Sequence, residues 1–256
     1  MKRKVKISDK MRRINELLIL NYAGPIACIS ESGENVTVEV VKKDIAAVVA
    51  ILKADFRDVV DIRKAYLMID DLHDFIFVKP IVSESPVLIQ DGMCVSSLEK
   101  RLVDIASDKE FAGLSDSEIQ AEYQKAFESY EVSVPKLLRY ASRKGEKEQV
   151  ARRVGSIDCS RVKMMSDIRR ILVDTPITEA WIFGSFSRME ERPDSDIDIL
   201  FCYDKSCKFS LLDHIGVKNR LEEALGRSVD LIADGSLLPF AAKSALEDRY
   251  KIYERS

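Results

Sequence analysis

The chain has 256 residues, 46% of them hydrophobic and 32% charged, and a net charge of -3. This is the make-up of a soluble globular chain with ample core, long enough for two domains, and it argues against disorder. A charge so near neutral offers no general attraction to nucleic acid, so any such binding needs a local patch.

One such patch opens the chain, in Lys2, Arg3, Lys4, Lys6, Lys10, Arg12 and Arg13. A solvated arm or helix face is the simpler reading of it, and DNA contact the alternative. Residues 11–22 read as a helix. The run Leu17-Leu18-Ile19-Leu20, bounded by Glu16 and Asn21, is too short for a signal peptide, and no A-x-A site follows. No apolar run nears the roughly 20 residues that span a bilayer, so a cytoplasmic protein without membrane contact is expected. Cys28, Cys94, Cys159, Cys202 and Cys207 are scattered and form no C-x-x-C pair, which fits reduced thiols. His73 and His214 are isolated and suggest no metal cluster.

Residues 36–40 alternate as a strand with Thr37 and Glu39 on the polar side, and 44–56 return to helical spacing through Ile45, Val48, Val49 and Leu52. Short strand-like runs follow at 65–69, 75–78 and 87–90. Helices are predicted at 97–107, 115–130 and 134–143, each opening near a Ser, Asp or Pro start signal, with Gly145 closing the last. Residues 145–160 read as a linker with room for a helical turn at 148–154. From Ser160, the positions Val162, Met165, Ile168, Ile171 and Leu172 repeat at helical spacing, and Pro176 ends the run. Then come strands at 181–183 and 197–201, a helix at 211–225, a strand around Asp230, a helix at 240–247 and a terminal strand at 250–253. The expected fold class is α/β (α+β). Residues 1–150 form an α/β and helical domain, and 156–256 a second domain with a mixed β-sheet flanked by helices.

The chemistry concentrates between Trp181 and Phe201, in the stretch WIFGSFSRMEERPDSDIDILF. Two strands flank a Gly184-Ser185 turn. On the second strand, Asp196 and Asp198 leave the same face roughly 6.6 Å apart, while Ile197 and Ile199 point to the core. Two carboxylates so close repel unless solvated or neutralised, and hard oxygen ligands suit Mg²⁺. Gly184 lets backbone approach a ligand, and Ser185 offers a hydroxyl and an N–H where phosphate is welcome. Asp230 stands in the alternating run Val229-Asp230-Leu231 and joins the pair if the two strands are neighbours. Arg188, Arg192 and Lys205 are further candidates for phosphate contact.

Gly184-Ser185, ten intervening residues and then Asp196-Ile197-Asp198 resembles the minimal nucleotidyltransferases of the DNA polymerase beta-like superfamily. The resemblance implies that Gly184 and Ser185 hold a nucleotide triphosphate; Arg188 and Lys205, as candidates for phosphate contact, are read from the residues as further nucleotide-binding positions. It implies that Asp196, Asp198 and Asp230 are the catalytic, metal-binding carboxylates, with two Mg²⁺ ions and an NTP, expected to be ATP, as substrate. Met189 departs from the pattern, since Gly is common there in the family. In the front half, Pro80 to Pro86 (PIVSESP), Leu98 to Asp104 (LEKRLVD) and Leu137 to Ala141 (LLRYA) resemble abortive-infection antitoxin-type regulators over about residues 40–150. That likeness implies a toxin–antitoxin or phage-defence setting. The expected function is therefore Mg-dependent transfer of an NMP, AMP foremost, to a hydroxyl of a protein or RNA partner, including a cognate toxin. The alternatives are a small-molecule, aminoglycoside-type nucleotidyltransferase and a non-catalytic regulator that binds DNA or protein.

Overall fold

The computed structural model describes residues 4–25, 27–63, 74–108, 111, 113–192, 194–236 and 245–255. The strand-like run at 65–69 and most of the helix expected at 240–247 lie outside the described residues. The chain forms two compact units, Arg3–Gly113 with Ser133–Ala151, and Leu114–Val132 with Arg152–Ser256. The units are not continuous in sequence: residues 114–132 belong with 152–256, and residues 133–151 with the front unit.

The front unit opens with helix α1 (Asp9–Asn21), whose N-cap Ser8 accepts a hydrogen bond from the Met11 N–H. Its stripe Met11, Ile14 and Leu18 is buried in the core. Strands β1 (Cys28–Ser32) and β2 (Asn35–Val40), helix α2 (Ile45–Lys53) and strands β3 (Val59–Asp61), β4 (Ile76–Pro80), β5 (Val87–Gln90) and β6 (Met93–Ser96) follow, then helix α3 (Leu98–Ser107). Helix α4 (Asp116–Ser129) belongs to the other unit, and helix α5 (Val134–Lys144) returns to this one. The six strands form one mixed sheet in the order β3-β4-β2-β1-β6-β5. Strands β1, β3 and β6 were not anticipated. β5 and β6 form a hairpin around Asp91 and Gly92, both at positive φ (50° and 76°), the two-residue turn that Asp-Gly favours. Lys100 of α3 is fully buried between Glu39 and Asp104, at 2.5 Å from each. Burial works against its charge, but the two carboxylates overcome that and raise its pKa above the usual lysine range.

Helix α6 (Lys147–Gly155) occupies most of the stretch expected as linker. The C-terminal unit adds helix α7 (Cys159–Leu172), strand β7 (Ile177–Phe183), the short helix α8 (Gly184–Arg188), strand β8 (Ile197–Tyr203), helix α9 (Leu211–Leu225) and strands β9 (Val229–Ala233) and β10 (Tyr250–Glu254). Its sheet runs β10-β7-β8-β9, antiparallel except for the last pair. β8 and β9 are parallel because α9 carries the chain back across the sheet between them. Side chains alternate across β8. Ile197, Ile199 and Phe201 share a core with Met165, Ile168 and Leu172 of α7 and Val217 and Leu221 of α9. Leu200 faces the other way, into a smaller cluster with Phe183 and Ala245. Asp198 shares that second face. No helix among the described residues is long and apolar enough to cross a membrane. All five cysteines are free.

Candidate active site

The site is built where β7 ends, β8 begins and β9 runs alongside. In the antiparallel pair Phe183 stands opposite Asp198, and in the parallel pair Asp198 stands beside Asp230. Asp196 lies just before β8, and the Ile197 N–H is anchored to the Ser228 carbonyl at 2.9 Å. The parallel register thus brings Asp230 to Asp198 on one face of the sheet.

The electrostatics bear the mark of that crowding. The carboxyl of Asp198 is pushed up to about 6, first by partial burial and then by the charges of Asp230 and Asp196, while Arg188 pulls it the other way. Asp198 is half-buried, and Asp196 and Asp230 are exposed. None of the three pairs with a cationic side chain among the described residues.

Gly184 closes the site from the other side. Its φ is +70°, a region that L side chains rarely adopt, and a Cβ there would come within 2.3 Å of Asp198 Oδ2. The backbone of the turn therefore lies directly against the aspartate, and only glycine allows it. Ser185, half-buried, begins α8, and the hydroxyl of fully buried Ser187 ties the turn by donating to the Gly184 carbonyl at 2.8 Å. Met189 ends α8 at φ 60° and ψ 35°, a left-handed position, which explains why glycine suits that place.

The remaining candidates divide. Arg188 belongs to α8 and is exposed, with Nη1 2.5 Å from Asp248 and Nε 2.8 Å from Glu190, so its charge is already engaged beside the site. Arg192 is exposed in the loop before Asp196, its N–H bonded to Ser195 Oγ. Lys205 is not brought in. It follows the opposite end of β8, and Asp198 to Tyr203 alone spans roughly 16 Å of strand.

Sequence reasoning passed over Asp248, which holds Arg188 and whose charge also raises Asp198. It passed over Arg161 and Glu128 as well, a buried ion pair at 2.6 Å beneath the turn. A signal for Arg161 did exist, because 161, 165, 168 and 172 continue one helical stripe, and a cation on a core stripe calls for a buried partner.

Three carboxylates, one with its proton affinity raised by partial burial and then by the other two, are a donor set of hard oxygens that fits a small divalent cation. Among the described residues no three His, Cys, Asp or Glu side chains already stand close enough together to hold a metal ion. With the Gly-Ser turn beside them, such carboxylates can handle a phosphorylated ligand and its cation together.

Comparison with known proteins divides the chain in two. The family described as "Polymerase beta, Nucleotidyltransferase" matches residues 166–256, and a "Family of unknown function (DUF6577)" matches residues 29–157. The chain is 38% identical over 78 residues to "Putative protein adenylyltransferase MJ0435" of Methanocaldococcus jannaschii, covering 30% of this chain and 82% of that one. It is 39% identical over 72 residues to protein adenylyltransferase MntA of Thermococcus cleftensis, covering 28% of this chain and 71% of that protein. A solved structure described as a toxin–antitoxin with AMP-PNP is similar over 36% of this chain and 74% of its own, at 19% identity and a TM-score of 0.31.

Proposed function

Since the chain belongs to the polymerase beta nucleotidyltransferases through its C-terminal stretch, and to a family of unknown function through its front half, we propose that it transfers AMP from ATP to a hydroxyl of a protein partner. The carrying observation is Asp198, crowded by Asp230 and Asp196 and backed by a glycine that leaves no room for a side chain. Relatives that share the C-terminal stretch are named protein adenylyltransferases, which supports AMP as the group moved and protein as the acceptor.

In this reading the Gly184-Ser185 turn receives the triphosphate, its backbone close to the ligand and the Ser185 hydroxyl donating to a phosphate oxygen. Arg188 exchanges one of its carboxylate partners for phosphate. Asp196, Asp198 and Asp230 would hold Mg²⁺. The bound cation would offset their mutual repulsion, draw charge from the phosphates and lower the pKa of the acceptor hydroxyl. The acceptor hydroxyl gives up its proton to water, its oxygen bonds to the α-phosphorus, the α–β anhydride bond breaks, and pyrophosphate leaves. Positioning and charge stabilisation supply most of the rate, so loss of one aspartate nearly abolishes transfer. The setting we propose is a cytoplasmic toxin–antitoxin pair, with a cognate toxin as acceptor, in line with the antitoxin-regulator likeness of the front half.

The test is incubation of the chain with each α-labelled NTP and Mg²⁺ in host lysate, beside an Asp196→Ala, Asp198→Ala variant. Label from ATP should enter protein and depend on both aspartates. Label in RNA or in a small molecule would replace the acceptor, and no aspartate-dependent label in any pool would overturn the activity.

A further inference from the structure

The turn that faces Asp198 is held from behind by residues outside the stretch shared with the nucleotidyltransferase family. α8 has five residues, about one turn, and so short a helix does not hold its own shape. Arg161 of α7 supplies the restraint. It is 7% exposed, its Nη2 donates to the Phe186 carbonyl at 2.9 Å, and its guanidinium lies 4.9 Å from the centre of the Phe186 ring. Its Nη1 donates to Glu191 in the loop after α8, and its Nε to Glu128 of α4 at 2.6 Å. Glu128 is fully buried and fixed in turn by Gln124 Nε2 at 2.8 Å and by the Tyr250 hydroxyl. The fork of Arg161 thus spans α4, α8 and the following loop, a geometry that a lysine cannot reproduce.

We propose that Arg161, braced by Glu128, is a positioning residue that sets the Gly184-Ser185 turn against Asp198, so that the nucleotide-handling unit of this chain includes α4. The inference rests on the nucleotide being held at that turn. Neither residue touches the reacting atoms. A shift of Phe186 carries Gly184 with it two residues away, at a position where even a Cβ would come within 2.3 Å of Asp198 Oδ2. Nucleotide affinity is therefore what the brace controls.

The experiment uses the full chain with Arg161→Lys, Glu128→Gln and the paired replacement Arg161→Met with Glu128→Met. Far-UV circular dichroism and thermal melting report the fold, calorimetric titration with a non-hydrolysable ATP analogue and Mg²⁺ reports affinity, and initial rates report KM and kcat. In Arg161→Lys and Glu128→Gln, Kd and KM for the nucleotide should rise on the order of ten-fold or more, with kcat changed less. The paired replacement removes both ends of the buried Arg161–Glu128 pair and leaves only Glu191 without its cation, so it should recover most of the melting temperature lost in the single variants without recovering affinity. A merely structural brace would recover both, which would overturn the proposal, as would a folded single variant with wild-type affinity. The titration needs no turnover. A chain that binds the analogue but transfers nothing would sink the proposed activity and not the brace.

Discussion

Asp198 is held in a state that costs stability. Its folded pKa of about 6 lies above the ordinary 3.8, so between about pH 4 and 6 the folded chain keeps a proton that the unfolded chain gives up. Stability from this group thus declines as pH rises through that window and stays lower above it. Asp198→Asn should stabilise the fold at pH 7.5 and not at pH 4, by about 1 kcal/mol once solvent screening of a half-exposed group is allowed for, read as a higher melting temperature at pH 7.5 only. The same variant should lose transfer. If Asp198 binds Mg²⁺ as proposed, protons compete with the cation for it, and Mg²⁺ affinity measured by calorimetry should fall as pH drops through about 6. Backbone conformation decides two other positions. Gly184→Ala meets both a left-handed φ and Asp198 Oδ2, and should cost more than about 2 kcal/mol along with most of the activity. Met189→Gly relieves a left-handed position without touching the carboxylates, and should add about 1 kcal/mol in a denaturant titration.

At the level of elements, periodicity and caps made most helices legible. α3, α4 and α5 stand within a residue or two of the expected ranges, because Ser97, Ser115 and Pro135 are strong start signals. The missed strands had weaker patterns. β1 (CISES) is short and half polar, and β3 is three residues long, so neither offers a full alternation. β6 was recoverable from Asp91-Gly92 between two apolar runs. α9 matters most for the site, since it carries the crossover that makes β8 and β9 parallel. Its capping box joins Ser210 and Asp213, and Ser210→Ala should cost about 1 kcal/mol in thermal stability.

At the level of the molecule, the catalytic unit is not one continuous stretch. Ile119, Tyr123 and Ala126 of α4 are buried, and this helix packs with α7 and β10. A fragment of residues 156–256 would leave that surface bare and Glu128's partners unpaired, so it should melt without cooperativity or aggregate, as a thermal scan would report. Local chemistry in the sequence was enough to identify the Gly-Ser turn, the Asp196-Asp198 pair, the helix stripes and a mixed α/β fold, because each depends on residues close along the chain. Tertiary structure alone decided that β9 lies in parallel register beside β8 with Asp230 at Asp198, that Lys205 is carried away from the site, and that α4 and Arg161 stand behind the turn. Those facts depend on which strands pair and which helix covers them, and such pairings are chosen by packing between segments far apart in the chain.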